Sequence, residues 1–114
     1  MVKAKYTSTE IKKIVGSVTK TLKANDIAVD KIILYGSYAK GKPRDHSDID
    51  IAIISPHFAG KKLLQIQAEL AKVLSQYLSI VEPLGFDSKD FSSTEPGTLL
   101  GEIKKSGKIL YSEK

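Results

Sequence analysis

The sequence has no cysteine and no tryptophan, and it contains one methionine, four prolines and a single arginine. Without thiols there are no disulfides, no thiolate metal ligands and no cysteine nucleophile, so any bound metal must be held by oxygen or imidazole donors. The two imidazoles, His46 and His57, stand apart in the sequence and read as isolated surface residues. Long apolar runs are lacking as well. None approaches the ~20 residues of a membrane span, and Met1-Val2-Lys3-Ala4-Lys5 is followed by no signal-peptide core, so the expected location is cytoplasmic. There is no internal repeat, low-complexity tract or linker, and one domain over residues 1–114 is expected.

What is present is an ordinary globular composition, 41% apolar and 27% charged, with 18 basic against 13 acidic residues and a net charge of +5. That surplus favours anionic partners without naming one. All the basic residues except Arg44 are lysines, and Arg44 lies in a loop beside the most informative segment.

Residues Ile11, Ile14, Val15, Val18 and Leu22 recur at helical spacing, with Thr7, Ser8 or Thr9 as N-cap and Asn25-Asp26 as the stop. Ile32-Ile33-Leu34-Tyr35 is a short β-rich run closed by Gly36, and it predicts a strand. Ser37 to Gly41 can form one helical turn, and a second strand is expected over Asp48 to Ile54. Leu63, Ile66, Leu70, Val73, Leu74 and Tyr77 predict another long helix. A third strand follows from Ile80 to Phe86, placed at an edge or a bulge by Pro83. Asp87 to Gly97 reads as a turn-rich loop, Leu99, Leu100 and Ile103 as a short helix, and Ile109-Leu110-Tyr111 as a last strand. This order predicts a small α/β (α+β) domain, a mixed β-sheet covered by helices.

The chemistry concentrates between Gly36 and Asp50. Side chains alternate along a strand, so Asp48 and Asp50 share one face while Ile49, Ile51 and Ile53 take the other. Two carboxylates so close repel unless a cation neutralises them. An oxygen-only donor set suits Mg²⁺ or Mn²⁺, and Mg²⁺ takes one or two protein carboxylates with waters and substrate phosphates. Gly36 allows a sharp turn and a close approach to a ligand, Ser37 adds a hydroxyl, and Lys40 and Arg44 add positive charge. If the two strands are antiparallel neighbours, the Gly-Ser corner and the carboxylates meet at one sheet end, an arrangement that fits a nucleoside triphosphate with its metal. There is no Walker A loop and no EF-hand loop. Alone, a Gly-Ser is most often a turn and an Asp-x-Asp most often a solvated strand start.

Together, Gly36-Ser37-Tyr38-Ala39-Lys40-Gly41 and Ser47-Asp48-Ile49-Asp50-Ile51 resemble the motif of the DNA polymerase β-like nucleotidyltransferase superfamily, in particular its minimal nucleotidyltransferase (MNT) branch. The resemblance implies the nucleotidyltransferase fold and a two-metal mechanism using two Mg²⁺ ions. It makes Asp48, Asp50 and a third acid the metal ligands and catalytic residues. Gly36, Ser37 and Lys40 would bind the β- and γ-phosphates of ATP or another NTP, with Arg44 beside them. The third acid is Glu82, where Asp is more usual, with Asp87 as the alternative; Glu82 is also a candidate base.

Superfamily members acting on antibiotics, tRNA or DNA carry a further acceptor-binding domain, so the resemblance implies an acceptor surface on another molecule. MNT proteins commonly work with a helical HEPN partner in toxin–antitoxin pairs, transferring AMP to the toxin. The expected function is therefore transfer of a nucleoside monophosphate, AMP from ATP, to an acceptor hydroxyl on such a partner. The rival readings are a non-catalytic antitoxin that binds nucleotide or partner only, and a basic nucleic-acid module built on Lys12, Lys13, Lys20, Lys23, Lys61 and Lys62. The last is disfavoured, because lysines on amphipathic helices are usually a solvated face and no nucleic-acid motif is present.

Overall fold

The computed structural model describes residues 6–42 and 48–113. The first helix, α1 (Ser8–Ala24), starts where Thr7 accepts the backbone N–H of Glu10 and Glu10 in turn accepts that of Thr7, a reciprocal cap. It stops at Asn25, and the next residue, Asp26, takes a positive φ of 61°. Strand β1 (Lys31–Tyr35) leads directly into the one-turn helix α2 (Gly36–Ala39). Strand β2 (Ile49–Ser55) follows, then a 3-10 turn and α3 (Leu63–Val73). Strand β3 (Val81–Asp87), helices α4 (Ser88–Ser93) and α5 (Leu99–Ser106), and strand β4 (Lys108–Ser112) complete the chain.

The four strands form one mixed sheet in the order β3-β2-β1-β4. β1 runs antiparallel to both β2 and β4, while β2 and β3 are parallel and are joined through α3. The expected mixed sheet with its covering helices is what forms. The expected loop over 87–97 is instead interrupted by α4, whose Phe91 packs beneath the sheet and whose Phe91 and Ser92 carbonyls, near its C-terminal end, accept the Lys104 ammonium.

Strand alternation divides the apolar residues between two clusters. Ile32, Leu34, Ile49, Ile51, Ile53 and Val81 face α1 and α3 in the larger cluster. Ile33, Ala52 and Ile54 face the opposite way, against Leu100 and Ile103 of α5. β2 therefore carries buried residues on both faces, which fixes it in the middle of the sheet.

Pro83 lies on the edge strand, as its missing N–H requires. The outer side of β3 is closed by one side chain. Gln67 of α3 donates to the Pro83 carbonyl at 2.9 Å and accepts the Gly85 N–H at 3.0 Å, so its amide stands in for a neighbouring strand. Gly85 has no side chain because Ile66, Phe58 and Leu70 crowd the place where a Cβ would sit. The imidazole of His57 is not isolated either. Its Nε2 lies 2.9 Å from Glu69 Oε2 and 2.9 Å from Lys61 Nζ, tying the 3-10 turn to α3.

Candidate active site

The antiparallel register pairs Tyr35 with Asp50, and the parallel register pairs Asp50 with Glu82. Directly paired residues project to the same face of a sheet, so Tyr35, Asp50 and Glu82 form a row across three adjacent strands. This row lies on the face of the smaller apolar cluster, where Tyr35 packs on its margin. Asp48, just before β2, is exposed and contributes a further negative charge close enough to act on Asp50.

Gly36 joins the row to α2. Its φ of 74° is in the left-handed region, and a Cβ at this position would overlap the carboxylate oxygen Oδ2 of Asp50. Glycine is required here twice, for its backbone conformation and for the close approach of the acid. Ser37 lies half-buried in α2, and Lys40 is exposed at the C-terminal cap, its N–H bonded to the Gly36 carbonyl. The Gly-Ser turn and the acidic residues thus meet at one end of the β1/β2 pair. Arg44, together with His46 and Ser47, lies outside the described residues.

Among the described residues the electrostatics are those of acids crowded together. Burial raises the Asp50 pKa first, repulsion from and a hydrogen bond with Glu82 add to it, and Asp48 adds more, so that it rises from 3.8 to about 6. The phenol of Tyr35 is pushed up to about 12 by burial and by the charges of Asp50 and Glu82.

Among the described residues, no three His, Cys, Asp or Glu side chains converge as a ready-made metal site. The donor set still fits a hard divalent ion. Mg²⁺ needs only one or two protein carboxylates when waters and substrate phosphates complete its shell. Asp50 and Glu82 supply two acids close enough to hydrogen-bond to each other, and among the described residues the charges acting on Asp50 are those of Glu82 and Asp48.

Of the two candidates for a third acid, Glu82 lies beside Asp50, whereas Asp87 pairs with Ser55 at the opposite end of β3. Five residues of strand separate them, roughly 16 Å. Tyr35 was not among the residues expected from sequence. Its signal was present in the alternation Ile33/Tyr35 against Ile32/Leu34, and it needed only the strand pairing to be seen.

Comparison with known proteins follows the same lines. Residues 17–114 match the family model described as polymerase beta, nucleotidyltransferase. No curated protein matches the chain. Among solved structures, a protein from Sulfolobus solfataricus, named as a candidate nucleotidyltransferase, is 18% identical, with a TM-score of 0.58 over 90% of this chain and 78% of its own. At that identity the likeness is one of fold. A toxin–antitoxin solved with AMP-PNP is 28% identical, with a TM-score of 0.57 over 87% of this chain and 73% of its own.

Proposed function

The chain belongs to the polymerase β nucleotidyltransferase family, and we propose that it transfers a nucleoside monophosphate, AMP from ATP, to a hydroxyl on a partner protein. The observation that carries this reading is the row in which Gly36 admits the Asp50 carboxylate and Glu82 stands in register beside it. A turn that can approach phosphates closely and a set of adjacent acids are the two halves of a site for a metal–triphosphate.

In this reading Gly36, Ser37 and Lys40, with Arg44 from the adjoining segment, hold the β- and γ-phosphates. Asp48, Asp50 and Glu82 are the residues that would hold Mg²⁺, or Mn²⁺ in its place. When bound, the metal supplies neutralisation of the phosphate charge and acidifies the acceptor hydroxyl. The acceptor oxygen forms a bond to the α-phosphorus as the bond to the departing pyrophosphate breaks, and in this reading Glu82 takes the hydroxyl proton. The chain's own work is alignment of the two reactants and stabilisation of charge by fixed groups.

The partner is the less direct part of the reading. The toxin–antitoxin structure with AMP-PNP supports an adenine nucleotide and a protein partner, which we take to be a helical HEPN-type toxin with this chain as its antitoxin. The test is incubation of the chain with ATP, Mg²⁺ and such a partner, followed by intact mass of both chains. AMP units on the partner, absent with Asp50→Asn, are the expected result. Tight binding of ATP and partner with no mass change would replace transfer by the contact-antitoxin reading.

A further inference from the structure

A cleft of about 450 Å³ opens on the other side of the sheet from the acids. Ile11 of α1, Leu34 of β1 and Leu110 of β4 form its apolar walls, all three belonging to or packing on the larger cluster. Its volume falls in the range of small-molecule sites. Three features distinguish it from a packing defect. Lys12 and Lys108, both exposed, stand on its rim and leave it cationic. Tyr38, only 8% exposed, lines it. The hydroxyl of that tyrosine is a buried side-chain polar atom with no hydrogen-bond partner, the only one among the described residues. A buried hydroxyl left unsatisfied is costly, and such groups in folded proteins call for an explanation.

We infer that this cleft is a regulatory ligand site for a small amphipathic anion, a carboxylate, sulfonate or phosphate head on an apolar body. The lysines meet the head, the apolar walls take the body, and a ligand acceptor atom satisfies the Tyr38 hydroxyl once the ring turns it out of its solvent-free position, a movement that the ligand imposes on α2. The route to the acids is short. Tyr38 belongs to α2, which has only four residues and begins at Gly36 against Asp50. The backbone bonds from Lys40 N–H to Gly36 O and from Lys42 N–H to Ser37 O tie the two ends of this turn together. A ligand that draws on Tyr38 therefore acts on the turn that shapes the candidate phosphate corner, and by linkage nucleotide acts equally on that ligand's affinity. The cleft stands independently of the proposed transfer activity; the coupling rests on it.

The probe is 1-anilinonaphthalene-8-sulfonate, which has an anionic head on an aromatic body, titrated into the full chain by fluorescence and mapped by amide NMR. Expected are saturable binding with shifts at Tyr38, Gly41 and Leu110, a loss of about tenfold in affinity in the Lys12→Ala/Lys108→Ala double variant, and a several-fold loss in Tyr38→Phe. Tyr38→Phe should also melt a few degrees higher without probe, since it removes the unsatisfied hydroxyl, which separates weakened binding from misfolding. Equal affinity in the double variant, or shifts confined to another surface such as exposed Leu63 and Leu64, would overturn the site. Probe should change the affinity for Mg²⁺–ATP at least threefold in the wild type and not in the double variant. An unchanged ATP affinity would overturn the coupling, while an absence of any ATP binding would count against the active-site reading and leave the cleft standing.

Discussion

Replacing Asp50 by asparagine should make the metal-free protein more stable at neutral and alkaline pH. In the folded state the Asp50 carboxyl holds its proton up to about pH 6, against 3.8 for an unperturbed carboxyl. Its folded pKa is raised, so the associated stability is fully present below about pH 4 and is lost as pH climbs through about 6. Taken at face value, the shift is worth ~3 kcal/mol at 1.36 kcal/mol per pKa unit. Asp50 is only partly buried, and solvent screening reduces this to about 1–2 kcal/mol. In a domain of this size that is roughly 4–8 °C in melting temperature. The asparagine variant escapes the penalty, since its neutral amide can donate to the Glu82 carboxylate. Thermal unfolding of both proteins in EDTA at pH 8 should show the variant melting higher, with the gap closing as pH falls toward 4. Adding Mg²⁺ should raise the wild type and leave the variant unmoved. A variant that melts lower than wild type at pH 8 in EDTA would refute the picture of crowded, uncompensated acids.

Other perturbations probe the supports of the row. Gly36→Ala forces an L-residue into φ 74° and pushes a methyl against Asp50, and it should cost about 2–4 kcal/mol in denaturant unfolding and abolish nucleotide binding. Gln67→Ala should cost about 1–3 kcal/mol by orphaning the Pro83 carbonyl and the Gly85 N–H, and the Gly85 amide should exchange with solvent much faster while amides of β1 do not. Chelation by EDTA, or Asp48→Asn, should lower nucleotide transfer at least ~100-fold, the scale of losing charge stabilisation at a reacting centre. Charge reversal at Lys12 and Lys13 on α1 should leave nucleotide affinity within about twofold, as measured by calorimetry, because that helix covers the opposite face of the sheet from Asp50.

The parts legible in the sequence were those fixed by local periodicity. The alternation of Asp50 with isoleucines, the glycine that closes β1 and the amphipathic spacing of α1 each depend on residues close in the chain, and each appears in the fold, whereas Asp48, expected in the same strand, lies just before it. Pro83 announced its edge position through its missing donor. What could not be read was register. Glu82 and Asp87 are five residues apart and so fall on opposite faces of β3, and which of those faces is shared with Asp50 depends on how β3 pairs with β2, a contact between segments distant in the chain. α4 escaped for a different reason. Ser88-Lys89-Asp90-Phe91-Ser92-Ser93 has one apolar residue, and four of its five polar ones, three serines and an aspartate, favour turns; its helix is supported by Phe91 packing and by Lys104 binding the Phe91 and Ser92 carbonyls.

The composition of β2 explains how a strand can carry a destabilised acid. Ile49, Ile51, Ile53 and Ile54 are all essentially solvent-free, and each buried isoleucine contributes about 1.5–3 kcal/mol relative to exposure. Even the lower bound, summed over four, exceeds the about 1–2 kcal/mol that ionised Asp50 costs. The surplus lies on both faces of the strand, so β2 cannot rotate to carry the acid into water without withdrawing isoleucines from one cluster or the other. The Asp50 carboxylate is therefore held against Gly36 and beside Glu82 by the strand pairing and by the apolar packing on both faces of β2. In the proposed reading a cation would relieve repulsion between acids that the fold already brings together instead of having to gather scattered ligands, and Gln67, bonded to the Pro83 carbonyl and the Gly85 N–H, braces the strand that carries Glu82.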